Sequence, residues 1–245
     1  DDRDGCMDLL YKYDIKLTAE DGRRNTWVDL DPGDRAVLAD ELMSRLTNDE
    51  DRKALMGEIY TVNRYEVHSG LNDSKEFATI LNSCGRYDDA VTGERICMGD
   101  VDALKDAERN RSDHRKNIST SLAYVKENHL LRRLKHVQYF DAGTEIRETV
   151  VGIVAGMVLN SGEADTGMPI VAFAVADDGV KVSARASRSL TDRGLDLSQI
   201  MKDAAASVGG MGGGHSVAAG ATIPEGKEES FLEEVDKLVA AQLCG

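Results

Sequence analysis

The residues best suited to chemistry form one run near the C-terminus, Gly209-Gly210-Met211-Gly212-Gly213-Gly214-His215, followed by Ala218-Ala219-Gly220. Glycine has no Cβ, so successive backbone N–H groups can close on an anion that a side chain would hold off. His215 adds a side-chain donor, and the small residues after it let a second backbone approach closely. The chemistry implied is recognition of a phosphate. A flexible loop is the ordinary alternative, but such loops are usually built from Ser, Asn or Lys.

Two further segments carry complementary groups. In Val180-Lys181-Val182-Ser183-Ala184-Arg185-Ala186-Ser187, strand alternation places Lys181, Ser183, Arg185 and Ser187 on one face. Arg185 presents a fork of N–H donors that suits a phosphate, and Ser183 can donate beside it. A half-exposed strand with a polar outer face would look the same. In Leu81-Asn82-Ser83-Cys84-Gly85-Arg86, a helix stop accounts for Gly85 but not for Asn82 and Arg86 together.

The elements that must position these groups differ along the chain. Residues 1–70 read as helical. Asp31-Pro32-Gly33-Asp34 starts a helix with Val37, Leu38, Leu42 and Leu46 on one face, and a further helix is expected over Asp51–Tyr60. Residues 71–130 carry a helix opened by Asp73-Ser74-Lys75-Glu76. A long polar helix capped by Asp100 follows, from Val101 to about Leu131, and is the candidate linker. Residues 131–245 mix strands and helices. Leu134–Phe140 has loose strand alternation, and Val150–Leu159 reads as a buried helix despite Gly152 and Gly156. Ile170–Ala176 and Val180–Ala186 flank Asp177-Asp178-Gly179, a hairpin signal. A helix from Asp196 to about Val208, the Gly-rich loop, a strand over Ser216–Ile223 and a final helix from Ser230 complete the pattern. The expected class is α/β: a C-terminal domain with a small mixed sheet, preceded by a mainly helical region.

Composition bounds the function. The 245 residues allow one or two domains. Aromatics are 5%, so the core must be mostly Val, Leu, Ile and Ala. The net charge of −14 excludes a protein that coats nucleic acid by bulk charge, while leaving room for a local basic site. Lysine (12) is scarcer than arginine (18). An ordinary solvated acidic surface and adaptation to high salt both fit that balance. No apolar run approaches the ~20 residues of a membrane span, no signal peptide is visible, and the widely spaced Cys6, Cys84, Cys97 and Cys244 read as reduced thiols. The expectation is a cytoplasmic protein with no membrane partner. The chain opens at Asp1, with its first Met at Met7, and reads as a segment of a longer protein.

GGGHSVAAG (Gly212–Gly220) resembles the C-terminal signature of DHH phosphoesterases of the RecJ type, VKVSARAS their Ser-x-Arg strand, and LNSCGR their Asn-x-x-Gly-Arg motif. EFATILNSCGR followed by ICMGD is most similar to the archaeal RecJ-like branch that includes the GINS-associated nuclease. The resemblance covers residues 55–245 well and 1–54 weakly. It implies a helical insert-like region (1–70), the tail of a catalytic domain with a linker helix (71–130), and a DHH-associated substrate-binding domain (131–245).

The parent that it implies is a single-strand-specific 5′ to 3′ exonuclease of DNA repair and replication, using Mn2+ or Mg2+. Its implied partners are single-stranded DNA or RNA, and the GINS complex. His215, Gly213, Gly214, Arg185, Ser183, Arg86 and Asn82 would grip phosphate. The chain has no DHH triplet. Ser112-Asp113-His114-Arg115 lies mid-helix after the Asn-x-x-Gly-Arg motif, in the wrong place for one. No catalytic residue and no bound metal are therefore expected in this chain. The alternatives are a Cdc45-like non-catalytic replisome scaffold bound to GINS, and an appendage like that of alanyl-tRNA synthetases.

Overall fold

The computed structural model describes residues 3–47, 49–67 and 69–244; the side chains of Glu50, Ala54 and Cys244 lie outside the description. The chain divides into two compact units at Ser74/Lys75.

The first unit holds α1 (Arg3–Lys12), a 3-10 turn (Trp27–Asp29), α2 (Pro32–Arg45) and α3 (Asp49–Leu55). The start of α2 follows from local chemistry. The Asp31 carboxylate accepts from the amides of Gly33 (2.7 Å) and Asp34 (2.9 Å), and Pro32 fills the first turn, where its missing N–H costs nothing. Tyr13 and Arg45 donate to the Glu41 carboxylate and hold its pKa down at about 2. The helix expected over Asp51–Tyr60 is shorter than the sequence suggests. It ends at Leu55, just before Gly57, and Tyr60 instead accepts a backbone bond from Ser74.

The second unit begins with α4 (Ser74–Arg86), α5 (Ala90–Cys97) and α6 (Ala103–Glu127). Gly85 does not stop α4. The helix runs on to Arg86, and the chain turns at Asp88, which adopts φ 57°. The long polar helix is α6. It starts two residues later than expected because the Asp100 carboxylate accepts from the Asp102 amide outside the helix (3.0 Å), and it gives way at Asn128 and His129. It packs on α5 and on α7 (Glu148–Leu159), inside this unit.

The sheet has the order β1-β2-β3-β4-β6-β5, from β1 (Arg132–Arg133), β2 (Gln138–Asp141), β3 (Ile170–Ala176), β4 (Gly179–Arg185), β5 (Met211–Gly214) and β6 (Ala218–Ile223). Only β2 and β3 run parallel; α7 is the crossover between them. The strand expected over Leu134–Phe140 begins only at Gln138, because Leu134 to Val137 make the turn of the β1–β2 hairpin. The β3–β4 hairpin turns on Asp177-Asp178, with Gly179 at φ 134° opening β4.

Alternation sorts the sheet into two cores. Val171, Phe173, Val180, Val182 and Ala184 face α9 (Leu197–Ser207), which the short α8 (Arg188–Asp192) precedes, and α10 (Glu228–Cys244). Ile170, Ala172 and Ala174 face α7. The largest side chains in these layers, Phe140, Phe173 and Phe231, are fully buried, worth roughly 1.5–3 kcal/mol each in transfer terms. The mixed α/β class with a helical region before it is as the sequence led one to expect.

The Gly-rich loop is a correction. Residues 211–214 form the edge strand β5, paired antiparallel to β6, and the expected strand from Ser216 begins only at Ala218 because His215 to Ala218 close the turn. The glycines are needed for close approach rather than for flexibility. A Cβ on Gly210 would meet the Thr222 carbonyl oxygen at 2.5 Å, and one on Gly212 would run into the Met201 backbone of α9.

Candidate functional site

Of the candidate residues of the second unit, Arg86, Ser183 and Arg185 lie against α7. Sheet register aligns Ala172, Ser183, Gly220 and Gly213 in one transverse row, and Ile170, Arg185, Ala218 and, across the turn, His215 in the next row of the same face; Val171, Ala184, Ala219 and Gly214 form the row between them. α7 packs on β3 and β4, whereas α9 packs on β5 and β6 from the opposite face. On β6, Ala219, Ala221 and Ile223 are buried, while Ala218, Gly220 and Thr222 remain half exposed. The rim of α7 is therefore flanked by a sheet surface with little side-chain cover, and a Cβ added to Gly213 would meet nothing within 4 Å.

Arg185 is less open than its strand pattern suggests. Its side chain lies along α7, where the ideal Cβ of Gly156 would sit 3.9 Å from its stem. Its Nη1 donates to its own strand at the Ala184 carbonyl, 2.8 Å away. Ser183 is 9% exposed on the same side, so the polar strand face is largely covered by α7. Burial, and then the positive field of Arg86, hold Arg185 below the usual guanidinium range. Arg86 itself donates to the carbonyl of Thr149, in the first turn of α7. Among the described residues neither guanidinium forms an ion pair. Two cations close enough to disfavour each other, one of them desolvated, make a place where an anion is stabilised.

Asn82 is exposed one turn before Arg86, and the i, i+4 spacing sets the two on one side of α4. The ladder separates the two glycine amides. His215 and Ala218 exchange both backbone bonds, so by antiparallel alternation Gly213 also points its amide at β6, whereas Gly214 directs its amide to the free edge. The His215 amide is occupied by the Ala218 carbonyl; its exposed imidazole is free of that constraint. Ser187 lies beyond β4, where its hydroxyl donates to the Thr166 carbonyl.

Sequence reasoning passed over three features. Gly152 and Gly156 were visible only as glycines four apart in a Val-rich helix. Tyr87, next to Arg86, receives a bond from Asn117 on its hydroxyl (2.6 Å) and carries Arg147 over its ring (5.3 Å). His114, the middle of the rejected triplet, packs edge-on against Tyr87. It is buried with Nδ1 unpaired, and burial followed by the Arg86 charge pushes its pKa down.

Among the described residues no three of His, Cys, Asp and Glu converge as a metal centre requires. The described residues do not fit the manganese or magnesium of a phosphoesterase. Cys6, Cys84 and Cys97 are free thiols, and no helix among the described residues is long and apolar enough to cross a membrane.

A half-covered arginine strand separated from a glycine edge strand by the small-residue strand β6 is thus the geometric signature of this sheet. Residues 135–241 match the DHHA1 domain. The DHHA1 segment contains Ser183, Arg185, Gly213, Gly214 and His215; Asn82, Arg86 and His114 precede it. An uncharacterized protein of Methanocaldococcus jannaschii is 30% identical over 205 residues, which are 80% of this chain and 44% of that protein. RecJ from Thermus thermophilus in complex with Mn2+ superimposes on 68% of this chain and 24% of its own, with a TM-score of 0.53 at 18% identity. Exonuclease RecJ bound to manganese covers 85% and 45%, with a TM-score of 0.50 at 16% identity. At such identities the likeness to the solved structures is one of fold. The chain spans less than half the length of each of these relatives. The DHHA1 domain and the RecJ-like fold are the part of the resemblance these comparisons carry.

Proposed function

We propose that this chain is the substrate-gripping part of a RecJ-like, single-strand-directed 5′ to 3′ exonuclease, holding the nucleic-acid phosphate while sequence outside these 245 residues supplies the Mn2+- or Mg2+-dependent hydrolysis. The observation that carries this reading is the pairing of Arg185 and Arg86 without a carboxylate partner among the described residues, beside the open glycine surface of β5 and β6. Arg185 offers its remaining N–H donors to the phosphate, and Arg86 adds charge from the α4 side. Ser183 donates beside Arg185, while the edge amide of Gly214 and the imidazole of His215 approach from the other flank. Gly213 and Gly220 leave room for the ligand to lie against the sheet, and Asn82 extends the Arg86 side. Such a local site works within a chain of net charge −14 because the grip depends on short-range, partly desolvated contacts.

The finer identity rests on motif resemblance. In this reading the parent is of the archaeal, GINS-associated branch, cytoplasmic and active in repair and replication. Its strand is single-stranded DNA or RNA.

The test is one incubation with two readouts. Labelled single-stranded DNA is mixed with the chain and manganese. The expected outcome is salt-sensitive binding without degradation. Chelator-sensitive degradation by the pure chain would show that it carries its own metal centre. Absence of any binding would favour a scaffold with no phosphate grip.

A further inference from the structure

We propose that Gly152 is a positioning residue for the phosphate grip, setting where the Arg185 guanidinium lies relative to Arg86; this rests on the reading of Arg185 given above. Thr149, Gly152 and Gly156 are spaced three and four apart and so share one face of α7. Arg86 is tied to the first of them through its carbonyl. Arg185 lies over the other two. One rigid helix thereby fixes the separation of two guanidinium groups that arrive from α4 and β4.

The space is fully used at one position only. A Cβ on Gly152 would lie 2.5 Å from Nη2 of Arg185, 3.0 Å from Oγ of Ser183 and 3.4 Å from Cζ of Arg185. A Cβ on Gly156 would lie 3.9 Å from Cγ and Nε of the same side chain, an ordinary contact. Helix propensity disfavours glycine at an internal, buried position, so alanine would suit α7 better on local grounds. What opposes alanine at 152 is the guanidinium. Arg185 is also held from the other side by the bond from Nη1 to the Ala184 carbonyl, so a displaced tip must give up that bond or its alignment with Arg86.

The experiment compares Gly152→Ala, Gly156→Ala, Arg185→Ala and the double variant Gly152→Ala/Arg185→Ala. The probe is a fluorescein-labelled, 5′-phosphorylated single-stranded DNA followed by anisotropy, with a thermal melt of each protein. Gly152→Ala is expected to weaken binding about tenfold or more, the scale of one charge-assisted hydrogen bond. Gly156→Ala should stay within about threefold of the parent, because an ordinary contact displaces nothing. In the Arg185→Ala background Gly152→Ala should cause no further loss, a coupling that a purely structural role would not produce. Parental affinity in Gly152→Ala, or an equal loss in both backgrounds, would overturn the proposal. If Gly152→Ala alone fails to fold, recovery of folding in the double variant supports it and continued failure overturns it. Parental affinity in Arg185→Ala would instead remove the phosphate-grip reading, and this inference with it.

Discussion

Replacing Arg185 with alanine is expected to weaken binding of a 5′-phosphorylated single strand by about ten- to a hundredfold, the scale of a charge-assisted contact, without lowering the melting temperature. The guanidinium is partly desolvated, faces Arg86 and, among the described residues, has no ion-pair partner. Its removal relieves an electrostatic cost in the unbound protein, offset by the loss of its stem against α7. Anisotropy titrations and thermal melts on the same preparations decide the matter. A clear fall in melting temperature with unchanged affinity would make Arg185 a structural tie. Arg185→Lys should recover only part of the affinity, because an ammonium keeps the charge and loses the fork.

The second large effect is on stability. Gly212→Ala is expected to destabilise the protein by about 3 kcal/mol, the upper range for overpacking, a fall of roughly 6–12 °C for a domain of this size. The added methyl group would be driven into the Met201 backbone and would sit 3.1 Å from Cβ of Ala221, and backbone cannot move aside as a flexible side chain would. Gly213→Ala, one residue on, should change stability by no more than about 0.5 kcal/mol, since its Cβ would enter open space. Equal melting temperatures for the two variants would mean that β5 does not pack on α9 as described.

That contrast shows what was legible in the sequence. Elements specified by neighbouring residues were readable: the Asp31 cap with Pro32 opening α2, the Asp177-Asp178-Gly179 hairpin, and Asp196 accepting from the Ser198 amide at the start of α9. The residue types proposed for the site, glycine, arginine and serine, were visible as types suited to phosphate. The hidden part depends on partners distant in sequence. Gly210 and Gly212 looked like a loop because nothing local reveals that Ile223 and Met201 press on them. Arg86 stood out as a candidate, but its carbonyl partner, Thr149, is 63 residues away. Alternation put Ser183 and Arg185 on one face of their strand, but it does not say whether a helix covers that face. Gly152 gave no signal beyond an unfavourable residue in a helix, and its reason is the side chain of a strand 33 residues later.

The central claim is that Arg185, Arg86 and the β5–β6 edge form one phosphate grip. It is tested most directly by titrating a short 5′-phosphorylated single-stranded oligonucleotide into the 15N-labelled chain and following backbone amides and arginine side-chain signals. The account predicts saturable shifts at Ser183, Arg185, Gly213, Gly214 and His215, with the Arg86 side chain responding in the same concentration range. Shifts confined to other parts of the chain, with Gly213 to His215 and both arginines silent at saturation, would contradict it.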